Sequence, residues 1–142
     1  MSEFDLPDVN VLVALLSANH LHHTAARDWF ASTPRFATTP ITEAGLVRMA
    51  LNRAVMGTAI TAQQALASLA SLRADDRATF VPDDSSLAEP SIDLVGLAGN
   101  KQVTDLHLVN LVAQHSGVLV TLDTKIRPVL TPDDQPLIRI LL

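Results

Sequence analysis

Apolar residues alternate along the chain between short continuous runs and longer amphipathic runs, which predicts alternating β-strands and α-helices. Strands are predicted at 4–7, 36–39, 78–82, 118–123 and 137–142, and helices at 9–18, 23–33, 41–54, 61–73, 91–99 and 101–117. Strand sequences such as VLVTL are apolar at nearly every position, which is typical of parallel strands covered on both faces. The sequence therefore predicts an α/β fold with a mainly parallel central sheet flanked by helices on both faces.

Several residues mark the ends of these helices. Thr39 fits the N-cap of the third helix, and Gly57 is placed to end it. Thr61 and Gln64 have the spacing of a capping box at the start of the fourth helix. Gly117 is predicted to end the last helix.

Composition limits the kind of protein this is. With 142 residues, 48% of them hydrophobic, the chain can bury one sizeable core, so we expect one domain over residues 1–142. Ten basic against fifteen acidic residues give a formal charge of −5, so any contact with a nucleic acid must be local rather than driven by overall charge. The chain has no cysteine, which excludes disulfides, a thiolate nucleophile and a sulfur-ligated metal site.

The apolar segment VNVLVALLSA near the N-terminus resembles an export signal only in part. The preceding residues carry net negative charge, where such a signal carries positive charge. The segment is also far shorter than the roughly 20 residues needed to span a membrane. We therefore expect a cytoplasmic protein that does not interact with membranes.

Two acidic residues directly follow predicted strands. Asp8 ends LPD and Asp123 ends VLVTLD, so both are expected at the carboxyl edge of the sheet, where open parallel sheets bind ligands. Either aspartate could instead simply cap the turn or helix that follows it.

Two further acids lie on predicted helices and face inward. At about 100° per residue, Glu43 lies on the same side as Leu46 and Val47, and Asp105 lies on the same side as Val109. Each could be a first-turn carboxylate that the helix dipole favours. Four acids directed towards one region nevertheless require a positive charge to compensate them, because burying an ionised carboxylate without a partner is costly.

The chain has few lysines and no arginine that looks buried, so the compensating charge is expected to be a metal ion. Oxygen ligands alone, without cysteine or a close histidine pair, favour Mg²⁺ or Mn²⁺. Magnesium typically binds a few carboxylates together with a phosphate, which indicates a phosphate-bearing substrate. Hydrolysis of a phosphodiester by a water that the ion activates would be the matching chemistry.

The four acids occur in the segments DVNVLVALL, TPITEAGLVRM, VTDLHLVNLV and VTLDTKI. Their order and setting resemble the four acidic positions of PIN domains, and most closely those of the VapC toxins of bacterial type II toxin–antitoxin pairs. The resemblance covers essentially the whole chain and includes HLHHTAARDWF, which is similar to the helix after the first motif. It implies a single PIN-like domain.

The resemblance further implies a metal-dependent endoribonuclease that cleaves RNA, with Asp8 and Asp105 as the most direct ligands and Glu43 and Asp123 completing the shell or acting through water. It also implies a VapB-like antitoxin as partner and a homodimer within the toxin–antitoxin complex. Asn10 matches a motif position that orients the metal shell or its water. By the same resemblance, Thr121 matches the Ser or Thr before the last acid and is expected to hydrogen-bond an acidic neighbour or the substrate phosphate.

Several polar residues near the four acids could also have purely structural roles. Asn10 could be only a polar residue near a helix start, and Thr121 only a β-branched strand residue. Lys125 and Arg127 follow Asp123 and are candidates for phosphate contacts, although a solvated turn accounts for them equally well. Arg48 is a further candidate.

The histidines and aromatic residues suggest binding sites less strongly. His20 and His23 have a spacing that permits metal binding, but they lie at a helix start where exposed polar residues are common. His107 is predicted on the helix side opposite Asp105, so it is not expected to be a general base. Trp29 and Phe30 are expected in core or dimer packing rather than in base stacking.

Two alternative functions are compatible with strand-end aspartates. A phosphoacceptor or phosphatase domain also places aspartates at strand ends, but Asp8-Val9-Asn10 lacks the second aspartate of the dehalogenase-type motif, and no acidic pair adjoins the first strand. A catalytically silent PIN-like binding module is disfavoured because the chain keeps all four acids.

Overall fold

The chain alternates between strands and helices in the computed structural model, which describes residues 2–142. The strands are β1 (Phe4–Pro7), β2 (Phe36–Thr38), β3 (Ala78–Phe80), β4 (Gly117–Thr121) and β5 (Ile138–Ile140). The helices are α1 (Val9–Leu16), α2 (His23–Ser32), α3 (Pro40–Ala50), α4 (Arg53–Met56), α5 (Ala62–Ala74) and α6 (Val103–His115). Short 3₁₀ helices occupy Asn100–Gln102, Thr124–Val129 and Gln135–Leu137.

The five strands form one parallel sheet in the order β3-β2-β1-β4-β5. In the central pair, Leu6 of β1 lies opposite Leu119 of β4. The chain builds the sheet outward from β1 through β2 to β3, then returns to place β4 on the other side of β1. This reversal makes the carboxyl ends of β1 and β4 the topological switch point, where open α/β sheets bind ligands.

Apolar side chains are buried on both faces of the sheet. In β4, Leu119 packs into a cluster with residues of α6, while the adjacent Val120 packs into a second cluster with residues of α1, α2, α3 and α5. In β2, Phe36 and Ala37 divide between the two clusters in the same way. The predicted α/β fold with helices on both faces is therefore confirmed.

The third predicted helix is interrupted rather than continuous. Helix α3 ends at Ala50, and the Oδ1 atom of Asn52 accepts hydrogen bonds from the backbone N–H groups of Ala54 (3.0 Å) and Val55 (3.3 Å). The asparagine side chain thereby starts a new helix, α4, instead of continuing the old one. Gly57, in the left-handed conformation (φ 75°), ends α4 and not α3.

The helix predicted over 91–99 is not formed. Side chains from elsewhere bind the backbone N–H groups of this segment: Asn110 Oδ1 accepts from Ser91 N at 2.7 Å, and Asp134 Oδ2 accepts from Asp93 N at 2.8 Å. These long-range bonds fix an irregular path that local sequence patterns do not encode.

The predicted role of Gly117 is also wrong. The left-handed residue that ends α6 is Ser116 (φ 62°), and Gly117 is the first residue of β4. A Cβ atom at Gly117 would overlap the ring of Phe4, so the glycine allows β4 to pass beneath this aromatic side chain. The capping box at Thr61 and Gln64 is confirmed by reciprocal bonds of 2.9 and 3.1 Å.

No helix among residues 2–142 combines the length and the apolar content that crossing a bilayer requires.

Candidate active site

Asp8 lies at the junction of β1 and α1, where the sheet meets the first helix. Its backbone N–H donates to Val120 O of the neighbouring strand (2.8 Å), and its Oδ1 accepts from Val9 N (2.7 Å) as the N-cap of α1. Only 8% of the residue is exposed. Burial raises the pKa of the Asp8 carboxyl above its usual value, with a smaller contribution from the charge of Asp123, while the hydrogen bonds from Val9 and Thr121 oppose the rise.

Thr121, the last residue of β4, connects the acidic groups at this edge. Its buried hydroxyl donates to Asp8 Oδ2 (3.2 Å) and accepts from Asn10 Nδ2 (3.3 Å) and from Asp123 N (3.1 Å). One donated and two accepted bonds use the full capacity of a hydroxyl group. Asn10 Oδ1 in turn accepts from Leu122 N at 3.2 Å. Asn10 and Thr121 thus lie beside Asp8 and hold the ends of β1 and β4 together.

Asp123 and Asp105 complete an acidic group with Asp8. Asp123 caps the following 3₁₀ helix, since its Oδ1 accepts from Lys125 N at 2.9 Å. Asp105 lies in the first turn of α6, partly buried. Desolvation raises the pKa of Asp105 to about 6, and the negative charges of Asp8 and Asp123 add to the rise. Three carboxylates therefore influence one another at the switch point.

Glu43, the fourth predicted acid, is held by different partners. It lies in the first turn of α3, and its Oε2 accepts from the Thr38 hydroxyl at 2.6 Å. Arg73 of α5 brings its Nε within 3.7 Å of the same oxygen. The sequence predicted no buried arginine beside the acids, and the arginine that reaches Glu43 is half exposed: α5 brings Arg73 to it from 30 residues away in the sequence.

The donor set suits a hard cation. Among residues 2–142, no lysine or arginine lies within ion-pair distance of Asp8, Asp105 or Asp123, and two of these three carboxyls have raised pKa values. Oxygen donors with uncompensated negative charge match the preference of Mg²⁺ and Mn²⁺. Among residues 2–142, no three His, Cys, Asp or Glu side chains lie close enough together to hold a metal ion as they stand.

A cavity of about 350 Å³ opens beside these carboxylates. Its lining residues are Lys101, Gln102, Asp105, Asp123, Lys125, Ile126 and Val129. Two lysines thus face the same space as two of the acids. Lys101 was not among the residues predicted from the sequence, because its neighbours gave no indication that the segment before α6 folds towards Asp123.

The other predicted cationic residues lie elsewhere. Arg127 and Arg48 are exposed, and neither lines this cavity. His107 bonds Asp83 at 2.6 Å, and His23 uses its Nδ1 to contact Ala14 O at 2.8 Å. Neither histidine contacts an acid of the site.

Trp29 is a core residue, as expected. It is 2% exposed and packs edge-on against Phe36, and its indole N–H donates to Asp5 at 2.8 Å. Asp5 lies in β1 but is not one of the site acids.

Comparison with known proteins identifies the family of the chain. The sequence profile of the PIN domain matches residues 6–129. The chain is 47% identical to ribonuclease VapC39 of Mycobacterium tuberculosis over 121 residues, covering 83% of this chain and 87% of the relative. It is 42% identical to ribonuclease VapC38 of the same species (83% and 84% covered) and 34% identical to ribonuclease VapC44 (85% and 87% covered). The chain therefore belongs to the PIN-domain family and, within it, to the VapC ribonucleases.

Proposed function

We propose that this protein is a metal-dependent endoribonuclease that acts as the toxin of a type II toxin–antitoxin pair, with its active site at the carboxyl ends of β1 and β4. One observation carries the proposal: three carboxylates influence one another at the switch point, and no lysine or arginine among residues 2–142 lies within ion-pair distance of them. Membership of the VapC ribonucleases supplies the substrate class, RNA. We assign Asp8 and Asp105 as direct ligands.

Glu43 and Asp123 complete the shell or act through water in this proposal. A bound Mg²⁺ or Mn²⁺ supplies charge stabilisation at the phosphate oxygens and makes water more acidic. Hydrogen bonds from Val9 and Thr121 hold the Asp8 carboxylate in the position in which it would bind the metal. Asn10 acts as a positioning residue, because it orients the Thr121 hydroxyl rather than reaching the phosphate itself.

The RNA backbone would enter over the cavity beside Asp105 and Asp123. Lys125 and Lys101 face this space and can contact phosphates next to the cleaved bond. Arg127 and Arg48, which are exposed, are assigned to more distant phosphates. This local placement of cations allows a protein with a net charge of −5 to bind a polyanion.

The same acidic edge supports the proposed partner. A VapB-like antitoxin that inserts a basic segment would neutralise the three aspartates and cover the site. We further propose a homodimer within that complex, a cytoplasmic location, and one domain spanning residues 1–142.

Cleavage of a labelled RNA tests the proposal. We expect cleavage with Mg²⁺ or Mn²⁺, none in a chelator, and a loss of more than about 100-fold in Asp8→Asn, above the 10- to 100-fold typical of outer-shell changes. Asparagine can still cap α1, so the variant stays folded, and without metal it is at least as stable as the wild type because a repelling charge is gone.

Asp28→Asn, which changes an exposed acid on α2, is the matched control and should cleave normally. Full activity in the chelator, or in an Asp8→Asn/Asp105→Asn double variant, would end the proposal. RNA binding without any cleavage by the wild type would instead favour a catalytically silent binding module.

A further inference from the structure

Arg73 contacts Glu43, one of the acids of the site, although its side chain is half exposed. Its Nε lies 3.7 Å from Glu43 Oε2, beyond hydrogen-bond distance, and the side chain is 50% exposed. Among residues 2–142, Arg73 has no side-chain hydrogen bond of its own. An ion pair of this length and exposure is weak, so the guanidinium group keeps donors free for another anion.

Phe80 lies directly beside this guanidinium group. It is the last residue of β3, at the carboxyl edge of the sheet, and 42% of it is exposed. The Arg73 guanidinium carbon lies 4.7 Å from the centre of the Phe80 ring. Phe80 is not part of the core clusters of the described chain, so its ring packs with Arg73 at the surface rather than in the core.

Both residues belong to the same edge as the acids. Because all five strands are parallel, the end of β3 points in the same direction as the ends of β2, β1 and β4. Thr38, at the end of β2, bonds Glu43 and also lines, with Arg73 and Phe80, a shallow cavity of about 190 Å³. This cavity is separate from the one lined by Lys101 and Lys125.

We propose that Arg73 and Phe80 form a nucleotide-binding subsite for the RNA, in which Arg73 contacts a backbone phosphate and Phe80 stacks on the adjacent base. The proposal rests on the proposed ribonuclease function. It follows from the chemistry of the pair: a planar guanidinium group suits phosphate oxygens, and an exposed aromatic ring stacks on any base. With the lysine-lined cavity on the other side of the acids, RNA would be held on both sides of the cleaved bond.

Phe80→Leu is the main test, since it removes the aromatic ring but keeps an apolar side chain on β3. For a short single-stranded RNA we expect KM to rise about 5- to 100-fold, as for loss of one stacked base, with kcat within about twofold. Phe80→Trp, which keeps an aromatic ring, should leave KM at the wild-type value or lower it. Leu66→Ala, on the exposed surface of α5, is the matched control and should leave both constants unchanged.

Arg73 is tested by the salt dependence of RNA binding, measured on an Asp8→Asn background so that the RNA stays intact. Arg73→Gln should reduce the slope of log K against log salt by about 0.7, the value for one single-strand phosphate contact. Arg53→Gln, an exposed arginine on α4, serves as the charge-matched control and should leave the slope unchanged.

The fluorescence of a modified base measures stacking on Phe80 directly. An RNA carrying 2-aminopurine should lose fluorescence on binding, and Phe80→Leu should recover part of that signal at saturation. The proposed subsite is contradicted if Phe80→Leu and Phe80→Trp both behave as the wild type, or if Arg73→Gln leaves the salt slope unchanged. In that case, cleavage by the wild type would still support the proposed nuclease function. If the wild type neither binds nor cleaves RNA, the proposed function fails, and the subsite with it.

Discussion

The Thr121 hydroxyl donates a hydrogen bond to Asp8 Oδ2 at 3.2 Å, and so connects two residues 113 positions apart in the sequence. Thr121 ends β4 and Asp8 follows β1, the two strands on either side of the switch point. The same hydroxyl accepts the N–H of Asp123. A single threonine side chain therefore binds both the carboxylate of Asp8 and the backbone of Asp123.

Replacing Thr121 with valine should damage both stability and activity. Valine keeps the shape of the side chain but leaves the partly buried Asn10 amide and Asp123 N–H without their acceptor. We expect a loss of about 1–3 kcal/mol in the free energy of unfolding, the cost of unsatisfied buried groups. Chemical denaturation and RNA cleavage measure the two effects.

Thr121→Ser is the control for this change, because serine keeps the hydroxyl. It should retain most of the activity and lose less stability than valine. Equal stability of the valine variant and the wild type would show that the hydroxyl is not needed to hold this edge.

The raised pKa of Asp105 predicts a pH dependence of the metal-free protein. The carboxyl titrates near pH 6 when folded, against an ordinary value of 3.8, so between these values the folded state binds more protons than the unfolded state. Stability therefore falls as pH rises from about 4 to 6, by at most about 3 kcal/mol from this group. Urea denaturation at several pH values, in a chelator, measures the slope.

Asp105→Asn should reduce that slope, because asparagine does not titrate, and leave the part that comes from the raised pKa of Asp8. The variant should also be more stable than the wild type above pH 6 and nearly equal to it near pH 4. An unchanged slope in the variant would mean that Asp105 is solvated as an ordinary surface acid.

Much of the fold could be predicted because hydrophobic periodicity reports burial directly. The continuous apolar run around Leu119 and Val120 indicated a strand buried on both faces, and the structure confirms it. The same alternation placed Asp8 and Asp123 at strand ends. These features depend on short stretches of chain, which sequence patterns encode well.

Features that depend on distant partners could not be predicted. The segment 91–99 has helix-forming residues, but Asn110 and Asp134 bind its backbone N–H groups. Arg73 gave no signal of its position because its contact with Glu43 exists only once α5 packs beside α3. Tertiary hydrogen bonds and helix packing override local preferences in both cases.

The contact between α1 and α3 depends on a glycine in α3. A Cβ atom at Gly45 would lie 2.5 Å from Val9 Cγ2, so Gly45→Ala should force the two helices apart. We expect destabilisation of about 1–3 kcal/mol, as for other overpacked cores, despite the better helix propensity of alanine. Because Val9 and Glu43 lie on these helices, cleavage should fall as well.

Gly99→Ala is a suitable control, since no atom lies within 4 Å of the added Cβ. It should leave the melting temperature nearly unchanged. A Gly45→Ala variant as stable as the wild type would show that α1 and α3 can separate without cost.

Binding of Mn²⁺ to the RNA-free protein tests the central claim most directly, measured from the loss of the free-ion electron paramagnetic resonance signal. The wild type and the Asp28→Asn control should bind the ion with the same affinity. Asp8→Asn and Asp105→Asn should each bind at least about tenfold more weakly, since each removes a carboxylate ligand. The same affinity in all four proteins would contradict the assignment of these aspartates as the metal-binding centre.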